Sequence, residues 1–284
     1  MTDTTSRFIV SADWLQERLT DQTVKIVDAS WYLPQHNRNG KAEYEAGHIP
    51  GAVFFDQDEI ADHTSGLSHT VPSPDVFAAH VGQMGISIDA SIVVYDGPGL
   101  FSSARVWWLF RVMGATKVYV LDGGLDGWKA EGRPLTNEPT EPQATIFAPV
   151  FNADAITTFG EMRSTVETGS AQIADARGAG RFTGAEAEPR AGMRSGHMPG
   201  AKNLPIAALA ENGRLKSIEA LRETILAAGI DPDRPVVTSC GSGVTAAVIT
   251  LALQSVGHAD NTLYDGSWAE WGSRDDTPVV TGEA

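Results

Sequence analysis

The chain contains one pattern written twice. EAGHIPGAVFF at residues 45–55 returns as RSGHMPGAKNL at 194–204, 149 residues later. Around these copies KIVDAS (25–30) matches QIADAR (172–177), SIVVYDG (91–97) matches RPVVTSC (234–240), and LDGGLDGW (121–128) matches YDGSWAEW (264–271). Four matches in the same order define two related domains, because a repeat on this scale is a whole folding unit copied rather than a short motif. Between them lies EGRPLTNEPTEPQATIFAPVF, whose Pro134, Pro139, Pro142 and Pro149 favour an extended, semi-rigid connection. The boundaries expected are a first domain over 1–138, a linker over 139–150 and a second domain over 151–284.

Each half alternates short β-branched runs with amphipathic stretches. In the second, ALRETILAAGI has helical apolar spacing, PVVTS reads as a buried strand, and VTAAVITLALQSVG as a helix closed by Gly257. Its counterpart in the first half, SSARVWWLFRVMG, closes at Gly114. Strands alternating with helices predict an α/β fold, two small parallel sheets each flanked by helices.

Composition narrows the function classes. A net charge of −15 and the lack of any Lys/Arg run argue against nucleic acid or an anionic membrane as partner. The longest apolar stretch, Val244 to Leu253, is about half the roughly 18 residues a spanning helix needs. The polar start MTDTTSRFIV lacks a signal pattern, so a cytoplasmic location is expected. One cysteine permits no internal disulfide, which suits a reducing compartment. The seven histidines never fall at metal-ligand spacing, and neither a metal nor a cofactor is indicated.

That single cysteine, Cys240, stands where the PVVTS strand gives way to a glycine-rich turn and a helix. In parallel α/β sheets ligands gather beyond the carboxyl ends of the strands. Gly241 and Gly243 allow a tight turn whose N–H groups point inward, and the following helix adds its positive end; both favour a thiolate nucleophile. A buried core cysteine fits the same spacing. A phosphatase loop would carry arginine six positions after the cysteine, and that position is Ala246. His48 and His197 recur in both GHxPG copies, as do Trp128 and Trp271 in the domain endings. Only one half has a cysteine, so these four are expected to be structural.

Tandem GHxPGA turns, a CGSGVTA loop in the second half only, and two DG-x-x-x-x-W endings together resemble the rhodanese superfamily over nearly the whole chain. The resemblance implies an inactive first domain and a second that carries the nucleophile. It further implies a ping-pong sulfur transfer through a Cys240 persulfide to a thiol, cyanide or thioredoxin-like acceptor; a monomer is expected because two domains already form the cleft. Members using thiosulfate typically have basic residues just after the cysteine, whereas Gly241 and Ser242 here match members that use 3-mercaptopyruvate and release pyruvate. In GRFTGAEAEPRAG the family's carboxylate-binding arginines fall on Arg181 and Arg190, and Gly241, Gly243, Val244 and Thr245 would line the substrate. In FFDQDEIADHTSGLSHTVP the family spacing selects Asp58 and His69 as a relay with Ser242; on residue type alone His63 serves as well. Two alternatives remain at this level, a thiosulfate sulfurtransferase and a noncatalytic rhodanese-like module for binding or sulfur relay.

Overall fold

The computed structural model describes residues 5–283, so the first four residues of the polar start lie outside it. The first half builds one parallel sheet from β1 (Ile9–Val10), β2 (Val24–Asp28), β3 (Ala52–Phe54), β4 (Ser91–Tyr95) and β5 (Val118–Leu121), in the order β1-β5-β4-β2-β3. The second half has β6 (Ile156–Thr157), β7 (Gln172–Asp175) and β8 (Ala201–Asn203), then an antiparallel hairpin of β9 (Ala210–Glu211) and β10 (Arg214–Leu215), then β11 (Val236–Ser239) and β12 (Asn261–Tyr264). Its parallel sheet runs β6-β12-β11-β7-β8, the same order as the first. The expected α/β fold of two small parallel sheets flanked by helices is the one observed.

Strand side chains alternate between two buried layers. Ile92 and Val94 face one core and Val93 and Tyr95 the other; Val236 and Val237 divide likewise. The first of these layers is shared by both halves. Val106, Trp107 and Phe110 of the helix Ser103–Val112 lie in one continuous buried cluster with Ala247, Val248 and Leu251 of the helix Ala246–Ser255. Both helices are buried nearly all round, as helices inside a core must be, and they pack on each other. The loops at the carboxyl ends of β4 and β11 lead into these two helices, so the packing places those loops near the seam.

Residues 139–150 form no regular element, as the prolines predict, but the segment is anchored along the first half. The Thr145 N–H donates to the Gly82 carbonyl at 2.9 Å and the Val150 N–H to Met113 at 3.0 Å, while Phe147 enters the shared core. The repeated residues hold turns. The Nδ1 of His48 lies 2.7 Å from the Tyr44 carbonyl and that of His197 2.8 Å from Phe182, each imidazole stacked on the same neighbour's ring. Trp128 and Trp271 are fully buried and donate to the Pro134 and Pro278 carbonyls.

One repeated position differs in a way that affects stability. Asp28 and Asp175 end equivalent strands, and each accepts an N–H two residues on at 2.9 Å. Asp175 is neutralised by Arg177, which stands where the first half has Ser30. Among the described residues Asp28 has no cation and its second oxygen is unpartnered, and burial pushes its pKa up to about 6. Because folding raises this pKa, the native state takes up a proton between about pH 4 and 6, and stability falls as pH rises through that window. Above it the charged form costs on the order of 2–3 kcal/mol. Asp28→Asn should raise the melting temperature at pH 7.5 by several degrees and change it little at pH 4.5; equal shifts at both pH values would refute the burial argument.

Candidate active site at the seam between the halves

Cys240 follows the last residue of β11 and is buried, 1% exposed. The segment after β12 supports its loop from behind: the Trp268 N–H donates to the Cys240 carbonyl and the Ala269 N–H to Gly241, both at 2.9 Å. The Cys240 N–H reaches the Ser267 hydroxyl at 3.3 Å. Among the described residues, none of the N–H groups of Gly241 to Thr245 has an acceptor. Five free donors on a turn at a helix start form an anion-binding concavity.

The first half contains a natural comparison. Tyr95 pairs with Asp28 as Ser239 pairs with Asp175, so Asp96 holds the place of Cys240; the matched strings SIVVYDG and RPVVTSC are one residue out of this register. One oxygen of the Asp96 carboxylate accepts from the N–H groups of Phe101, Ser102 and Ser103 at 2.8, 2.6 and 2.8 Å. In the half without a thiol, the loop is filled by an anion of its own.

The first half also reaches into this cleft. From the loop after β3, His69 places Nδ1 3.2 Å from the Ser242 hydroxyl and Nε2 2.8 Å from Asp58. The His69 ring is buried, and Trp31 packs edge-on against it while donating its indole N–H to both Asp58 oxygens at 3.1 Å. The His69 hydrogen bond, aided by Trp31 and the Arg190 charge, holds the Asp58 carboxyl below the usual carboxylate range. His63 is exposed and turns to the Glu59 carbonyl.

Arg181 and Arg190 differ in their pairing. Glu188, with a side chain 1% exposed, takes the Nη2 of Arg181 at 2.5 Å and the Nη1 of Arg177 at 2.8 Å, leaving Arg181 only its outer N–H groups for a ligand. Arg190 has no acceptor among the described residues. Burial draws its pKa down, opposed by the negative groups of the cleft. Arg181 lies over the loop, where a Cβ on residue 241 would come 3.1 Å from its Nη2, so any larger residue there would push the guanidinium aside. Arg181, Arg190, Gly241, Val244 and Thr245 line one cavity of about 550 Å³ with Cys240, Ser242, His69 and Asp58. Gly243 does not line it; it lies beneath Arg105 and Asp265 instead.

Sequence reading missed Glu188, Trp31, Arg105 and Asp265. Glu188 stood within GRFTGAEAEPRAG and Asp265 within the repeated DG, but nothing local signals that Glu188 lines the cleft or that Asp265 pairs across the seam with Arg105 and the Val71 N–H. The assembled site offers a thiol, an anion-binding loop, a Ser–His–Asp chain and an unpaired cation in one enclosure.

Comparison with known proteins agrees with this arrangement. The sequence model of the rhodanese-like domain matches residues 11–131 and 158–274. The 3-mercaptopyruvate sulfurtransferase of Escherichia coli K12 is 43% identical over 273 residues, covering 96% of this chain and 97% of that protein. An Arabidopsis thaliana protein named as a mitochondrial thiosulfate/3-mercaptopyruvate sulfurtransferase is 39% identical over 99% of this chain and 80% of its own length. The crystal structure of SseA from Escherichia coli, described as a rhodanese fold of the 3-mercaptopyruvate type, superposes with a TM-score of 0.86 at 40% identity, covering 93% of this chain and 99% of that one. Two copies of the domain, matched in both sequence and sheet order, place this chain in the rhodanese family.

Proposed function

We propose that this protein is a 3-mercaptopyruvate sulfurtransferase. The observation that carries the choice of donor is the location of positive charge. The Cys240 loop itself has no cation at Gly241 or Ser242, while the unpaired Arg190 faces the same cavity. That suits a monoanion whose carboxylate is several bonds from its sulfur better than thiosulfate, whose charge adjoins the transferred atom. Similarity to a relative named for both donors does not decide between them.

In this reading the Cys240 thiolate attacks the donor sulfur. As the S–S bond forms, the carbon–sulfur bond breaks and its electron pair leaves on carbon, giving the enolate of pyruvate. Arg190 and the outer N–H groups of Arg181 hold the carboxylate and keto oxygen. The thiol proton passes to Ser242 and His69, with Asp58 orienting the imidazole. The free N–H groups of the loop receive the outer persulfide sulfur as an anion, as the equivalent donors receive the Asp96 carboxylate. An acceptor thiolate, cyanide or a thioredoxin-like dithiol then attacks the outer sulfur and restores Cys240. Residues 151–284 act as the catalytic domain, 139–150 as linker, and 1–138 as a non-catalytic domain that contributes the relay. We further propose a monomer, because the two domains already complete the cleft, in the reducing cytoplasm, because the single cysteine forms no internal disulfide.

Pyruvate release from 3-mercaptopyruvate with a thiol acceptor, measured beside thiocyanate formation from thiosulfate and cyanide at equal enzyme concentration, tests the donor. A kcat/KM at least about 10-fold higher for 3-mercaptopyruvate is expected from the charge argument. The reverse order makes it a thiosulfate enzyme, and inactivity with both makes it a binding module.

A further inference from the structure

Arg105 is 1% exposed, on the third position of the helix Ser103–Val112, and a guanidinium so deeply buried must be paired to be tolerated. Of its partners His69 lines the cavity, while Gly243 of the Cys240 loop and Asp265 lie outside it. Nη2 donates to the His69 carbonyl at 2.5 Å and to Asp265 at 2.7 Å, and Nη1 lies 3.5 Å from the Gly243 carbonyl of the Cys240 loop. The other Asp265 oxygen accepts the Val71 N–H at 2.7 Å. Residues 69–71 of the first half are thus gripped at two points by a pair that also touches the nucleophile loop.

His69 requires such a grip because its φ is +65°, a left-handed conformation unfavourable to a residue with a Cβ. The other half shows what happens without the requirement. His69 stands four residues before Ser73, the cap of the next helix, and Gly213 stands four before Ser217, the equivalent cap. Gly213 has φ +73° as the second residue of the β9–β10 hairpin turn, after Asn212 at φ +50°; the turn differs in shape, but its left-handed position before the cap is taken by glycine without strain. The helix position equivalent to Arg105 is Val248 there, and Asp122, the counterpart of Asp265, pairs with Arg214 of the hairpin instead. The half whose left-handed residue is a histidine carries a buried arginine on the adjoining helix; the half with glycine before its cap carries valine there.

We propose that Arg105, through Asp265, is the positioning residue of the relay: it keeps His69 left-handed, aims its ring at Ser242 and fixes that ring relative to the Cys240 loop. This rests on the sulfurtransferase reading, and wild-type pyruvate release tests that reading separately. The test is a double-mutant cycle read as kcat and KM for 3-mercaptopyruvate in wild type, Arg105→Met, His69→Ala and the double variant. Arg105→Met should lower kcat about 10- to 100-fold, with KM within about threefold, since general-base assistance is lost while donor binding is not. The double variant should be no slower than His69→Ala by more than about twofold, because Arg105 acts only through the histidine. Arg105→Lys, whose ammonium can serve one of the two acceptors, should recover part of the loss; with Asp265→Asn it carries the same cycle if Arg105→Met fails to fold. Losses that multiply in the double variant, or that fall on KM alone, overturn the proposal. Unchanged turnover in His69→Ala overturns the relay and this proposal with it, whereas a wild type that releases no pyruvate overturns the 3-mercaptopyruvate reading.

Discussion

Cys240→Ser should abolish pyruvate release, with a loss of more than about 10⁴-fold in kcat. A serine hydroxyl does not ionise near neutral pH and cannot hold a transferable sulfur, so both half-reactions fail together. The substitution is close to isosteric, and the loop is held by the Ser267 hydroxyl and the Trp268 and Ala269 N–H groups, none of which uses the thiol. The melting temperature should therefore move by only a few degrees, separating lost chemistry from lost fold. Because Cys240 is the only cysteine, intact mass gives a second reading. Wild type incubated with donor alone should gain one sulfur atom, and the variant none. Sulfur retained by the variant would show that transfer does not pass through this residue.

Arg190→Ala should lower kcat/KM for 3-mercaptopyruvate by about 10²- to 10³-fold, the size of a lost charge-assisted contact in a partly desolvated cleft. A rise in KM alone would mean that the arginine binds ground and transition states equally; a fall in kcat would mean that it follows charge moving onto the enolate. Arg190→Lys should restore only part of the activity, since an ammonium cannot form two parallel bonds to a carboxylate. Stability should be unchanged or higher in Arg190→Ala, because no ion pair among the described residues is broken and burial already disfavours the charge. Arg181 should behave differently: its removal leaves buried Glu188 and Asp175 sharing the single cation Arg177, so Arg181→Ala should lose stability as well as activity.

The sequence alone determined the architecture, because an internal repeat and alternating strand and helix patterns are local signals read along the chain. The repeat also separated structural residues from chemical ones. His48 and His197, or Trp128 and Trp271, occur in both halves and hold turns and cores, whereas Cys240 occurs once. Family spacing went further and selected His69 over His63. It could not show that Arg181 is already engaged by Glu188, that Trp31 braces Asp58, or that Asp96 is the counterpart of Cys240. These are facts of side-chain direction and strand register, which no periodicity encodes.

Tertiary structure alone decided how the halves share one site. The relay spans residues 58 to 242, and the pairing of Arg105 with Asp265 spans 160 positions. Such contacts exist only because the helices Ser103–Val112 and Ala246–Ser255 bury apolar faces against each other. Hydrophobic burial fixes that docking without regard to the polar residues carried at the helix starts and loops. Whether a charged side chain such as Arg105 meets a carboxylate, a carbonyl or solvent is settled only once the docking is made. Its meaning was therefore illegible in the string SSARVWW and plain in the cleft.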